Sequence, residues 1–219
     1  MKYIHSHNNF FYFTGALIVL MLASAFVGSF SESIGGHRLL QTVIFLVEIV
    51  AYVSLNLSRQ WRRFVMAMLL LLIVANFLRE FTSWHATGLS SLVVSLVFFC
   101  GMAYAAARQV LFTGGIEWNT IAGTLAVYFL FGLIWSLLYL ITLEFWPAGF
   151  NGIEHENWND NFGVATYFSF VTMTTLGYGD ISPAIPITRT LVYLQAVTST
   201  FYMAVVVASL VSSRSSISK

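Results

Sequence analysis

The chain has 219 residues, 58% of them hydrophobic and only 9% charged. Soluble domains carry roughly 25% charged residues, so a water-soluble globular class is excluded before any motif is read. The formal net charge of +1 provides no basic field for a nucleic-acid partner. The single cysteine, Cys100, cannot form an intrachain disulfide and lies inside an apolar run, as a core or lipid-facing residue would.

A bilayer core of about 30 Å needs about 20 helical residues. Six apolar segments approach that length: Phe10–Phe30, Leu39–Leu57, Phe64–Leu78, Leu89–Phe112, Trp118–Phe145 and Ile187–Ser212. The first follows a polar tail with Lys2, His5 and His7. Its Ala23-Ser24-Ala25 step resembles a signal-peptide cleavage site, but the apolar run is long for one, and a retained helix is the favoured reading. The second carries Phe45 and Glu48, i and i+3 on one helical face. An acid at mid-membrane is a functional candidate by default; the plainer and favoured reading is a buried acid, protonated or hydrogen-bonded to Thr, Ser or Asn neighbours. The fourth holds Arg108 as its one charge, near the inner end. At about 1.5 Å per residue, that lies well below Glu48.

The loop Glu144–Asp160 holds Glu144, Glu154, Glu156 and Asp160 and no Lys or Arg. It reads either as an acidic rim that concentrates cations or as an ordinary solvated loop, and both stand at this point. His155, between two glutamates, fits no helical ligand pair and reads as a surface histidine. A half-length helix, Phe162–Met173, is expected to enter the membrane and leave it through the segment that follows. With both termini in the cytoplasm, the inner side carries Lys2, Arg59, Arg62, Arg63, Arg108, Arg214 and Lys219, against Arg38, Arg79 and Arg189 outside. That is the sign the positive-inside rule demands. Trp61 and Trp118 then fall near the inner interface, and Trp84, Trp146 and Trp158 near the outer one, as aromatic belts.

The most specific stretch is Thr172-Met173-Thr174-Thr175-Leu176-Gly177-Tyr178-Gly179-Asp180. A lone Gly-Tyr-Gly is weak. Here two threonines precede it, an aspartate follows, Pro183 stands three residues further on, and long apolar segments flank the whole. The stretch resembles the selectivity filter of potassium channels of the voltage-gated-like superfamily, in their six-helix, single-pore-loop, bacterial-type form. Such a filter replaces the water shell of the ion by rings of backbone carbonyls, one strand from each of four subunits. Turning successive carbonyls inward needs backbone angles that side chains disfavour, which explains Gly177 and Gly179.

The resemblance implies ion binding by Thr175, Leu176, Gly177, Tyr178 and Gly179, with K+ held at the first four. It implies support by Thr174, Asp180, Tyr167 and Phe168, with Phe168 near Tyr178 and the Tyr167 hydroxyl near Asp180; generic aromatic packing would put the pair in the same region. Leu176 and Tyr178 should point away from the axis. Three departures from the family pattern stand out. Leu176 replaces Val or Ile. Val171 replaces a glutamate that in some relatives pairs with the filter aspartate. Ser199, between Thr198 and Thr200, replaces a hinge glycine. The first four segments resemble a voltage sensor only in outline: the arginine series is missing, and Asn76 is at best the counterpart of an acid in the third.

These readings imply an all-α integral membrane protein of six transmembrane helices plus a re-entrant pore helix and filter. A sensor-like domain over 1–112 would precede a pore domain over 113–219. Function would be passive, potassium-selective conduction by a homotetramer in the cell (plasma or inner) membrane, not steeply voltage-gated, with K+ in the filter and no organic cofactor. The bilayer and three further copies of the chain are the expected partners, with no nucleic acid and no catalysis. Ser199, Glu48 and Arg108 are the gating candidates. The alternatives are a non-conducting sensor or assembly subunit, or a potassium-transporter subunit that retains a channel-like filter.

Overall fold

The computed structural model describes residues 9–29, 34–55, 61–63, 65–71, 74, 85–111 and 118–217. In chain order these form α1 (Asn9–Ser29), α2 (Ile34–Ser54), α3 (residues 65–71), α4 (His85–Leu111), α5 (Trp118–Phe145), β1 (Phe150–Asn151), α6 (Trp158–Met173), β2 (Ser182–Pro183) and α7 (Pro186–Ile217). The fifth expected span coincides with α5, and the first, second and fourth are helical with shifted ends. The third, Phe64–Leu78, is only partly described, and Asn76, Arg79 and Trp84 lie outside the described residues, as do Lys2, Arg59 and Lys219.

Local chemistry accounts for the main boundaries. Pro147 pushes its predecessor out of the α region, and α5 stops just before it at Phe145. Proline at the first position suits a helix start, because its missing N–H is an orphan there anyway; α7 begins at Pro186. Thr188, in that first turn, accepts the Ile185 N–H at 3.2 Å and donates to the Gly149 carbonyl at 2.7 Å. One side chain thus caps the helix and ties it to the loop after α5.

Among the described residues, two helical stretches, Gly88–Val110 and Trp118–Phe145, are long and apolar enough to cross a membrane, and shorter apolar runs lie at Asn9–Ala25 and Leu39–Ser54. α1 packs on α2, α5 and α6; α4 packs on α5; α6 sits between α5 and α7. One apolar core runs from Phe13, Leu17 and Leu20 of α1 through Met102 of α4 and Leu130 of α5 to Phe162 and Ala165 of α6. Thr14 fastens α1 to α5 by donating to the Ala122 carbonyl at 2.8 Å. A second, smaller cluster of Tyr139, Leu143, Phe150, Ile153, Phe168 and Ile181 closes the far end of α5. The strands form an antiparallel ribbon pairing Phe150 with Pro183 and Asn151 with Ser182.

Two expectations are corrected here. The short helix begins at Trp158, a full turn before Phe162, with Asp160 in its first turn, where the positive end of the helix dipole favours an acid. Trp158 is also no belt residue: it is 7% exposed and belongs to the main core.

Candidate functional site

The site is built on α6. Ser169 and Phe170 lie on the side of this helix that meets α5 at Gly132. A Cβ at Gly132 would fall 2.5 Å from Phe170 Cζ, so only glycine admits the ring. Beside it the Ser169 hydroxyl donates to the Gly132 carbonyl at 2.7 Å. The helix is therefore seated on α5 by one ring and one hydrogen bond.

The last carbonyls of a helix have no intrahelical donor. Here the chain that follows supplies donors. Thr174 N–H bonds Phe170 O at 3.0 Å, Thr175 N–H bonds Thr172 O at 3.1 Å, and the N–H groups of Leu176 and Gly177 both reach Val171 O, at 3.0 and 3.4 Å. The Thr174 hydroxyl adds a bond to Phe170 O at 2.7 Å. The segment is thus pinned to the carboxyl end of α6 as it turns back.

Its backbone then alternates. Thr175, Gly177 and Gly179 have φ of 58°, 54° and 83°, and Thr175 is the one non-glycine residue with positive φ among those described. Alternating left-handed with ordinary residues lets successive carbonyls turn to one side of a strand instead of opposite sides. A left-handed conformation costs a side-chain-bearing residue about 1–2 kcal/mol, so Thr175 is held there by its surroundings. Residues Thr174 to Asp180 are all exposed in the single chain, Leu176 at 55% and Tyr178 at 67%. Leu176 borders a cavity of about 310 Å³ between α1 and α6 that also meets Met21, Thr166 and Val171.

The outer end is held from two directions. The Tyr167 hydroxyl donates to Asp180 Oδ2 at 2.6 Å, as expected. That bond holds the Asp180 carboxyl below its ordinary range and pushes the Tyr167 phenol up to about 12. From the other direction comes the ribbon. Gly152 (φ 80°) passes so close to Asp180 that a Cβ would lie 2.3 Å from its carbonyl oxygen. Next to it, Asn151 Nδ2 donates to Ser182 Oγ at 3.1 Å. Phe168 departs from expectation: its ring packs on Tyr139 and Phe150, with centroids 5.1 and 5.7 Å away. Successive helical residues point about 100° apart: Tyr167 is turned to Asp180 and Phe168 braces the helix on its α5 side.

The gating candidates are dispersed. Glu48 is 1% exposed, and its Oε1 has no hydrogen-bond partner among the described residues. With Gln41, Phe45, Ser91 and Ser95 it borders a cavity of about 20 Å³, room for about one water. Arg108 is exposed in the last turn of α4. Ser199 is fully buried and donates to the Gln195 carbonyl one turn earlier at 2.6 Å; α7 continues through it. In the acidic loop, His155 stands 4.0 Å from Glu144, a contact of exposed and half-exposed groups worth little.

The sequence reading missed the left-handed Thr175, the ribbon with Gly152, and a buried Gln195. The Asn151–Gly152 step, a few residues after Pro147, was the available signal for the ribbon.

Residues 123–213 match the family model described as Ion channel. The match covers most of α5, all of α6, the segment after it and most of α7. No solved structure matches the chain. Over those residues the chain is similar to ion channels, and that likeness, with the two membrane-length helices among the described residues, supports an integral membrane protein and passive ion conduction.

Proposed function

We propose that four copies of this chain form a potassium-selective channel whose filter is Thr175 to Gly179. The observation that carries the reading is the alternation of left-handed backbone at Thr175, Gly177 and Gly179, on a segment pinned to the carboxyl end of α6. Carbonyls turned to one side, repeated around a fourfold axis, form stacked oxygen rings that replace the hydration of potassium. The carbonyls of Thr175, Leu176, Gly177 and Tyr178 bind K+. Thr174, Tyr167 and Asp180 fix the two ends of the segment, and Phe168 fixes the helix behind it.

Assembly is supported by what one chain leaves uncovered. Leu176, Tyr178 and the α7 side chains Tyr193, Val197 and Phe201 are 50–68% exposed. Such a surface suits burial against other copies or lipid. Six spans are read from the six apolar segments and cytoplasmic termini from the Lys/Arg distribution, and the cell membrane is the proposed location. Voltage dependence is shallow, because Arg108 is the sole arginine or lysine of α4.

The test is purified protein in liposomes with potassium or sodium gradients, alongside native mass determination in detergent. Potassium flux well above sodium flux from a four-chain particle is the expected result. A conducting monomer or dimer, or equal fluxes of the two ions, refutes the proposal.

A further inference from the structure

A set of buried polar groups centred on Gln195 joins the three helices behind the segment. Gln195 of α7 is fully buried, as are Tyr139 of α5 and Ser169 of α6. Gln195 Nε2 donates to the Ser169 carbonyl at 3.0 Å and to the Ser169 hydroxyl at 2.8 Å. Gln195 Oε1 accepts from the Tyr139 hydroxyl. The Ser169 hydroxyl passes its own proton to the Gly132 carbonyl at 2.7 Å. The donors thus run in fixed directions, from Tyr139 to Gln195, from Gln195 to Ser169 and from Ser169 to Gly132.

The arrangement has one orientation. A carbonyl can only accept, so an amide turned end for end would set Oε1 against the Ser169 carbonyl and leave a buried oxygen pair repelling. Buried polar groups are costly when unsatisfied and specify a unique geometry when satisfied. Ser169 is one turn before Met173, where α6 ends, and the carbonyls of Phe170, Val171 and Thr172 that follow it hold the filter segment. A shift of α6 along α7 would therefore move those carbonyls directly.

We propose that Gln195 is the positioning residue of the filter: its amide fixes the depth and rotation of α6 between α5 and α7, and through α6 the conducting shape of Thr175 to Gly179. This rests on the proposed reading of that segment. Gln195 touches no ion. It acts through Ser169, and the chemistry it needs is a donor, not merely a side chain of its size.

Gln195→Glu tests that demand with a single-atom change. The carboxylate keeps an acceptor for Tyr139 but faces the Ser169 carbonyl with a second oxygen. The protonated acid restores one donor toward Ser169. Among the described residues, Tyr139 is the ionisable group that bonds Gln195; Asp160 and Tyr167 on α6, Tyr128 and Glu144 on α5, and Arg189, Tyr193 and Tyr202 on α7 lie elsewhere along the three helices. Burial raises a carboxyl's pKa, so the variant is expected to function in acid and fail in alkali.

The experiment measures potassium and sodium flux of parent, Gln195→Glu, Tyr139→Phe and Gly177→Ala in liposomes from pH 5 to 9, as the ratio of each variant to parent at each pH. The expected result for Gln195→Glu is a loss of potassium flux or of potassium preference of about tenfold or more at pH 9, recovered in the same liposomes at pH 5. Reversal within one preparation separates positioning from misfolding. Tyr139→Phe, which frees the amide to turn, should lose several-fold at every pH. A Gln195→Glu protein that follows the parent at all pH values, or is lost equally at all of them, overturns the role of Gln195. A Gly177→Ala protein with parental flux and preference overturns instead the filter reading on which it rests.

Discussion

Gly177→Ala is the substitution that most directly probes the segment after α6. Gly177 has φ 54°, and a Cβ built on it meets nothing within 4 Å in the chain. The methyl group therefore brings no clash inside one subunit, and the whole perturbation is conformational. A left-handed alanine costs about 1–2 kcal/mol per copy, hence about 4–8 kcal/mol in a ring of four. The ring can carry that strain or relax. Relaxing takes residue 177 out of the left-handed region, and the peptide planes on either side rotate with it. The alternation Thr175–Gly177–Gly179 is then broken and an oxygen ring is lost. At about 1.4 kcal/mol per factor of ten, even half the ring's strain leaves the conducting shape below about a few per cent of molecules. The apolar core and the α6 seat on Gly132 are untouched, since none of their residues contacts this position. Potassium flux into liposomes should fall by about 100-fold or more, with the four-chain mass in detergent and the helical circular dichroism unchanged. A variant that keeps the flux and the potassium-over-sodium preference refutes the assignment of the filter. One that loses its flux together with its assembly shows that the segment serves folding instead of conduction.

Three further outcomes follow from the geometry. Gly132→Ala drives a methyl into the Phe170 ring, and its overpacking of about 1–3 kcal/mol should outweigh the helix-propensity gain of about 1 kcal/mol; a raised thermal midpoint in detergent would contradict the close approach of α5 and α6. The Tyr167 bond depresses the Asp180 pKa, so the outer end stays intact above the ordinary value of 3.8 and weakens only as external pH falls through the lowered one. Tyr167→Phe should bring that acid loss of flux up toward 3.8; identical acid profiles for the two proteins would mean that the bond does not hold the mouth. Conductance against voltage in symmetric potassium should be shallow for the parent, Arg108→Gln and Glu48→Gln alike. One charge crossing the field gains about 2.3 kcal/mol per 100 mV, and a steep curve flattened by Arg108→Gln would show that α4 senses voltage after all.

What could be read in the chain beforehand divides by how local the cause is. The ends of α5 were legible because Pro147 and a long unbroken apolar run set them. The glycine positions of the filter were legible because their demand is on their own φ. The start of α6 was not. Trp158-Asn159-Asp160-Asn161 looks like polar loop, yet the four residues form the first turn, with Trp158, Asn159 and Asn161 buried. Asn161 Nδ2 donates to the Glu154 carbonyl at 2.7 Å, so an amide that argued for solvent satisfies the loop that leads into the helix. Phe168 was misplaced because its partners, Tyr139 on α5 and Phe150 in the ribbon, come from distant sequence. Gln195 could not be weighted at all. A lone glutamine in an apolar helix is unremarkable until Ser169 and Tyr139 are known to meet it.

Thr175 shows why the remainder needed the fold. Nothing in its own chemistry favours a left-handed backbone, and an isolated Thr-Thr-Leu-Gly peptide would avoid it. The conformation is imposed from both sides: its N–H is committed to Thr172 O, and the next two N–H groups to Val171 O. Those carbonyls are available only because α6 ends at Met173, and α6 stands where it does because Gly132 admits Phe170 and Gln195 holds Ser169. At the far end, Tyr167 and Gly152 close on Asp180 from opposite directions. A strained segment persists only where its surroundings over-determine it. Here the surroundings come from α5, α6, α7 and the ribbon, which is why a stretch of nine residues could announce the chemistry while the means of holding it reached from Gly132 on one side to Gln195 on the other.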